Sequence, residues 1–311
     1  MSILVSFLTV GKQVLILFLL MVVGYILGKA KIITEQGSVS MSNVVMYTAI
    51  PAMLIVAFQR ELIPADLGNF GVALVLSLAI HVLCALLSRL LIRDPDPKRS
   101  PTLRFAATFS NCGFMGYPMM TALLGTIGVF YGSAYVVIFN LLGWTWGVYL
   151  MTGDRKKLSL RPILLNPGVL GVLIALLLYL FRITLPEVIL TPVTYFSYLN
   201  TPVPMLILGY QLSHADFRTA FRGISAWMTL LLRLILMPLL TIVLCLVLRV
   251  DSAVAMALVI AAATPPAALL SLFSAKFDTD SALASSVVSV QTALSVLTMP
   301  ILVGLGQYLI G

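Results

Sequence analysis

Charge is what this sequence has least of. Only 10% of its 311 residues are Asp, Glu, Lys or Arg, while 60% are apolar; an ordinary soluble domain has about 25% and 45–50%. A water-soluble fold of this length cannot hide so much apolar surface, which excludes the globular aqueous classes. Histidine is scarce too, with two residues, and the three cysteines, Cys84, Cys112 and Cys245, all fall inside apolar runs. They read as small buried hydrophobes, with no metal cluster and no disulfide framework. Also missing are a His-Glu-x-x-His pair, a Walker loop, a Gly-x-Ser-x-Gly elbow and any pair of carboxylates within an apolar run, so no enzyme chemistry, metal or cofactor is expected. The formal charge of +8 sits in short loops between apolar runs; it reads as an orientation signal and not as a nucleic-acid surface.

What the sequence has is length without charge, repeated. Apolar stretches run over about 8–28, 38–58, 69–92, 102–123, 128–151, 164–181, 189–212, 224–248, 252–273 and 282–308, each near the ~20 residues needed to cross ~30 Å of hydrocarbon. The expectation is an all-α polytopic membrane protein with ten transmembrane helices. The first stretch is long for a signal h-region and no Ala-x-Ala-like site follows it, so it reads as a span. An outside N-terminus puts fourteen Lys and Arg in inside loops, four outside and Arg233 within a span, which orients both termini outward under the positive-inside rule.

Two internal echoes organise the ten. Pro51-Ala52-Met53-Leu54-Ile55 before Phe58-Gln59 is answered by Pro204-Met205-Leu206-Ile207 before Tyr210-Gln211. Pro118 stands fifteen residues before Ser133-Ala134, as Pro266 stands fifteen before Ser281-Ala282. Spans 2 and 4 thus correspond to spans 7 and 9, a five-helix unit, and an odd unit makes the second copy insert upside down. This sets expected repeats at 1–155 and 162–311, joined by the basic linker Gly153 to Pro162.

Spans 4 and 9 carry the candidate chemistry. Asn111, Gly113, Gly116 and Pro118 interrupt the one, and Thr264, Pro265 and Pro266 the other. Proline removes a backbone donor and glycine tolerates irregular dihedrals, so both spans are expected to break, with the breaks near these prolines. Irregular backbone at membrane depth survives only where protein or a watery cavity covers it. A helix restarting after a break presents free N–H groups and about +0.5 charge, so two matched restarts can hold a carboxylate.

His81 and Arg233 are the clearest ionisable residues deep in spans, each 28 residues after a repeat methionine, Met53 and Met205. Such groups are costly. Arg233 can bind an anion or satisfy helix C-terminal carbonyls; His81 can bind substrate, carry a proton or only pack. The amides of Asn43, Asn140, Asn200, Gln211 and Gln291 can hold substrate or glue helices. Pro202 and Pro204 should kink span 7, as Pro51 kinks span 2, and Trp144, Trp146 and Tyr149 read as an interface belt.

Asn111-Cys-Gly-Phe-Met-Gly-Tyr-Pro118, Asn200-Thr-Pro-Val-Pro-Met205 with Gly209, Arg233-Leu-Ile-Leu-Met-Pro238 and Thr264-Pro-Pro266 together resemble the auxin efflux carrier family, which includes the plant PIN carriers and bacterial permeases for small carboxylates. The resemblance implies two inverted five-helix repeats with crossover helices 4 and 9, in the manner of sodium–proton antiporters and bile-acid symporters. It also implies a scaffold of spans 1, 2, 6 and 7, a moving domain of spans 3–5 and 8–10, an elevator-like step and substrate at the crossing. Where plant members look to carry an acidic and a basic residue in span 3, this chain has only His81, and its loop between spans 5 and 6 is short; the bacterial branch fits better.

The expectation is therefore an inner-membrane carrier of a small carboxylate, driven by the membrane potential or by protons through His81. Substrate-binding residues are expected among Asn111, Gly113, Gly116, Pro118, Thr264, Pro265, Pro266, Arg233, His81, Asn200 and Gln291. Membrane lipid surrounds the chain, and the scaffold helices offer a homodimer surface. A sodium-coupled carrier of the bile-acid-symporter type and a ligand sensor that moves nothing stand as alternatives.

Overall fold

A computed structural model describes residues 3–154, 156 and 161–310. The expected linker lies largely outside the described residues. Helices account for the architecture: α1 Ile3–Lys29, α2 Glu35–Phe58, α3 Pro64–Leu91, α4 Arg99–Thr108, α5 Cys112–Leu124, α6 Thr126–Thr152, α7 Pro167–Leu180, α8 Glu187–Tyr198, α9 Pro202–Ser213, α10 Ile224–Val247, α11 Ser252–Ala263, α12 Leu269–Lys276 and α13 Ser281–Ile310. Among the described residues no strand forms. Six of these helices or their apolar parts are long and apolar enough to cross a membrane: Phe7–Lys29, α2, α3, α6, α10 and α13. Three of the expected spans are pairs of shorter helices: spans 4 and 9, which were expected to break, as α4/α5 and α11/α12, and span 7 as α8/α9.

Proline explains why some spans stay whole. Ile50, Tyr117 and Met237 each precede a proline and donate to the carbonyls of Val45, Cys112 and Leu232, one residue further back than in an α-helix. Each is the end of a five-residue π-turn. Widening the turn in this way accommodates the ring and the missing donor of Pro51, Pro118 and Pro238 without interrupting the helix.

The expected break at Pro118 is therefore corrected. The chain leaves helical geometry at Phe109 to Asn111, with Phe109 extended at φ −100°, ψ 111°, and Pro118 lies inside a continuing helix. Gly113 and Gly116 belong to that helix's opening π-turn and do not take left-handed dihedrals; the glycines that do are Gly125, Gly153 and Gly223. In the other half the expectation holds, because Pro265 and Pro266 follow Thr264, the extended residue that caps α11, and two adjacent prolines remove two successive donors. Span 7 also differs: α8 stops at Tyr198 and α9 starts at Pro202, a full interruption where a kink was expected.

Packing fixes two ends. Helices α1 and α9 cross at Gly24 and Gly209, where a Cβ on Gly24 would strike the Leu206 backbone and one on Gly209 the backbone of Met21 and Tyr25. Small residues here let two backbones touch, the usual device when lipid removes the hydrophobic drive for helix pairing. At the far end of α2, Phe58 packs against Phe130 at 4.5 Å between ring centroids and Phe130 against Tyr179 at 5.4 Å. Beside them Arg60 pairs with Asp66 at 2.8 Å, and the Tyr131 hydroxyl donates to the same carboxylate at 3.1 Å. These aromatic and ionic contacts join the end of α2 and the start of α3 to the start of α6 and the end of α7.

Candidate functional site

The two irregular segments meet. The Asn111 N–H donates to the Pro265 carbonyl at 2.7 Å and the Ala267 N–H to the Phe109 carbonyl at 2.9 Å, forming an antiparallel bridge between Ser110 and Pro266. Each interruption thus satisfies backbone groups of the other, which is what lets non-helical chain persist at this depth. Ser110, Thr264 and Pro266 are fully buried there.

Four helix ends consequently converge, and their charges sort by side. Helices α4 and α11 end at the crossing, each with a partial charge of about −0.5 on its free carbonyls. Arg233, 1% exposed, takes that side: its Nη1 donates to the carbonyls of Ala107 and Thr108 at 3.2 and 3.3 Å, and its Nη2 to that of Ala262. One guanidinium therefore binds both C-terminal ends. Of the two readings open from sequence, the carbonyl-satisfying one describes these contacts.

Helices α5 and α12 start from the crossing, and their first turns face a cavity of about 550 Å³. Ser110, Asn111, Gly113, Phe114 and Tyr117 line it from the α5 side, and Ala267, Ala268, Leu269 and Ser271 from the α12 side. Its remaining wall comes from the first half of α2, from Asn140 and Trp144 on α6, from Asn166 and Gly168, and from Tyr210 and Gln211. Among the described residues no Lys, Arg or His lines it, and Glu35 is the one carboxylate that does. Among the described residues, the two helix starts are therefore the source of partial positive charge facing the cavity. Two donors on lining residues, Asn111 Nδ2 and the Tyr117 hydroxyl, are themselves buried and have no hydrogen-bond partner among the described residues. Unpaired buried donors carry a desolvation penalty that a ligand acceptor would remove.

A Cβ on Gly113 would meet nothing within 4 Å, so its lack of a side chain keeps the cavity open. Gly116 faces away, toward Thr264 and Cys112. The Asn166 Nδ2 donates to Asn140 Oδ1 at 3.0 Å, while Asn166 Oδ1 caps α7 through the Gly168 and Val169 N–H groups.

Of the expected site residues, Asn111 and Gly113 line the cavity; Thr264, Pro265 and Pro266 build the crossing behind it, while Gly116 packs toward Thr264 and Pro118 lies within α5. His81 stands elsewhere: its Nδ1 donates to the Ser77 carbonyl at 2.8 Å, its ring lies 4.6 Å from that of Tyr135, and its Nε2 is buried without a partner. Asn200 donates to the Met53 sulfur at 3.0 Å, and the Gln291 carbonyl oxygen is buried and unpartnered; neither lines the cavity. Trp144 does line it and packs on Phe273 at 4.9 Å, in place of the expected interface belt. Phe114, Tyr117, Phe139 and Glu35 were not singled out from sequence.

Residues 9–162 and 156–303 match the family model described as membrane transport protein. The chain is 27% identical over 301 residues to an uncharacterized transporter of Methanothermobacter thermautotrophicus, covering 93% of this chain and 96% of that one. It is 26% identical over 210 residues to an uncharacterized transporter of Methanocaldococcus jannaschii, covering 64% and 68%. With nearly its whole length matched, the chain belongs to the membrane transport protein family, that of the auxin efflux carriers, and is a membrane transporter.

Proposed function

We propose that the chain carries a small organic anion, a carboxylate, across the bacterial inner membrane. The observation that carries this reading is the convergence of the α5 and α12 starts on a cavity that, among the described residues, no basic side chain lines. Helix starts are favourable to anions, and about half a charge from each is well matched to one carboxylate.

The proposed topology has ten spans in two inverted repeats, 1–155 and 162–311, with both termini outside. On α2 the cavity runs from Glu35 to Ile50, about 22 Å at 1.5 Å per residue, and Glu35 follows the end of α1 at Lys29 and the loop bearing Lys31. The mouth then lies on the basic, inner side and the Phe58–Phe130–Tyr179 cluster on the outer side, which is an inward-open state. In the proposed elevator step, α3–α6 and α10–α13 move against a scaffold of α1, α2 and α7–α9, separating Phe130 from Phe58 and Tyr179. With His81 outside the cavity lining, the membrane potential is the favoured driving force.

Counterflow in proteoliposomes over a panel of mono- and dicarboxylates tests this reading, repeated without sodium and with the membrane potential clamped. Saturable, sodium-independent, potential-sensitive exchange is expected. Saturable binding without exchange of any carboxylate would overturn carriage in favour of a sensor, and strict sodium dependence would overturn the coupling.

A further inference from the structure

A second recess lies outside the transport cavity and shares no lining residue with it. It is a groove of about 420 Å³ between α1, the end of α9 and α13, walled by Phe18, Tyr25, Leu212, Val296 and Leu297. Along α1 it extends from Phe18 to Lys29, eleven residues or about 16 Å. That is about half of the ~30 Å hydrocarbon core, the depth of a single leaflet. Leu297 at its wall is 67% exposed, so the groove is open to the surrounding bilayer.

Its shallow end is charged and its deep end is not. Lys29 closes helix α1, with its amine 5.7 Å from the centroid of the Tyr25 ring, and among the described residues no carboxylate lies within ion-pairing distance of it. The Ser213 hydroxyl beside it already donates to the Tyr210 carbonyl at 2.7 Å. A cation without an anionic partner among the described residues, above an apolar slot of one-leaflet depth, is complementary to an anionic headgroup on an acyl chain. A small soluble carboxylate would leave the apolar length unfilled.

We propose that this groove is a binding site for one anionic phospholipid of the leaflet on the Lys29 side, its phosphate at Lys29 and one chain lying along α1 to Phe18. The lipid would wedge between α1 and α9 on one side and α13 on the other. The site stands whatever the transported anion is.

Native mass spectrometry of the purified protein, titrated with phosphatidylglycerol and with phosphatidylcholine, tests it. The wild type should retain one phosphatidylglycerol in preference. Lys29→Gln should lower that retention about fivefold with phosphatidylcholine unchanged, and Ala293→Phe, which fills the floor of the groove, should lower both. Unchanged phosphatidylglycerol retention in Lys29→Gln and Ala293→Phe would overturn the site. Should Ala293→Phe not fold, Leu297→Trp supplies a second measurement: brominated phosphatidylglycerol should quench its added fluorescence more than brominated phosphatidylcholine, and equal quenching would overturn the proposal.

Discussion

The backbone N–H of Asn111 donates to the carbonyl of Pro265 at 2.7 Å, so two segments 154 positions apart in sequence hold each other in an extended form that neither could keep alone in a membrane. Around this contact the four helix ends divide into a carbonyl side, bound by Arg233, and an N–H side, facing the cavity.

Removing Arg233 should therefore damage the fold before it damages binding. Arg233→Ala leaves the carbonyls of Ala107, Thr108 and Ala262 without their donor, and each buried acceptor left unpaired costs about 1–3 kcal/mol. Thermal unfolding in detergent should show a large drop, with Arg233→Lys intermediate because an ammonium lacks the planar fork. A mutant that melts like the wild type but has lost substrate affinity would instead make Arg233 a ligand for the anion.

The α1–α9 contact should tolerate no side chain. Gly209→Ala places a methyl on the backbone of Met21 and Tyr25, whereas Gly68→Ala, on α3, meets nothing within 4 Å. The first should lower the melting temperature by several degrees or abolish folded protein, since overpacking costs about 1–3 kcal/mol or more. The second should leave melting unchanged.

Gly113 separates folding from function. Gly113→Ala has free space for its methyl and should melt and transport much as the wild type does. Gly113→Phe should melt similarly but fill the cavity and abolish flux. Equal flux in the two would remove this cavity from the transport path.

At the basic end, Lys98 pairs with Asp278 at 2.8 Å, tying the segment before α4 to the one after α12. The Lys98 hydrogen bond and charge hold the Asp278 carboxyl below its usual 3.8, and Asp278 in turn raises Lys98 above its usual 10.5. The depressed carboxyl contributes stability above pH 3.8 that is lost as pH falls through its lowered value; the raised lysine contributes below pH 10.5 and loses it as pH rises further. Both partners are exposed, so the effect is small. Asp278→Asn should change melting little, and its difference from wild type should be flat between about pH 5 and 9 and shrink with added salt.

Much of the crossing was legible in the sequence because Asn111, Thr264, Pro265 and Pro266 are residues that a lipid-facing helix excludes. The place of the first break was not, since Pro118 is absorbed by a π-turn whose i−5 bond leaves no trace in composition. Nor could the partners of Arg233 be read, as its three carbonyls come from main chain 125, 126 and 29 residues away. Phe114, Phe139 and Trp144 line the cavity, yet apolar and aromatic side chains look the same in sequence whether they face lipid, core or substrate.

The most direct measurement is carboxylate counterflow by Asn111→Ala and wild type, reconstituted at equal amounts after matched thermal melting. Losing the unpaired Asn111 amide at the cavity wall should reduce flux at least tenfold, about 1.4 kcal/mol or more, at unchanged stability, and Asn111→Asp should reduce it further by opposing the anion. Wild-type flux in Asn111→Ala and Asn111→Asp would contradict an anion site at the paired helix starts.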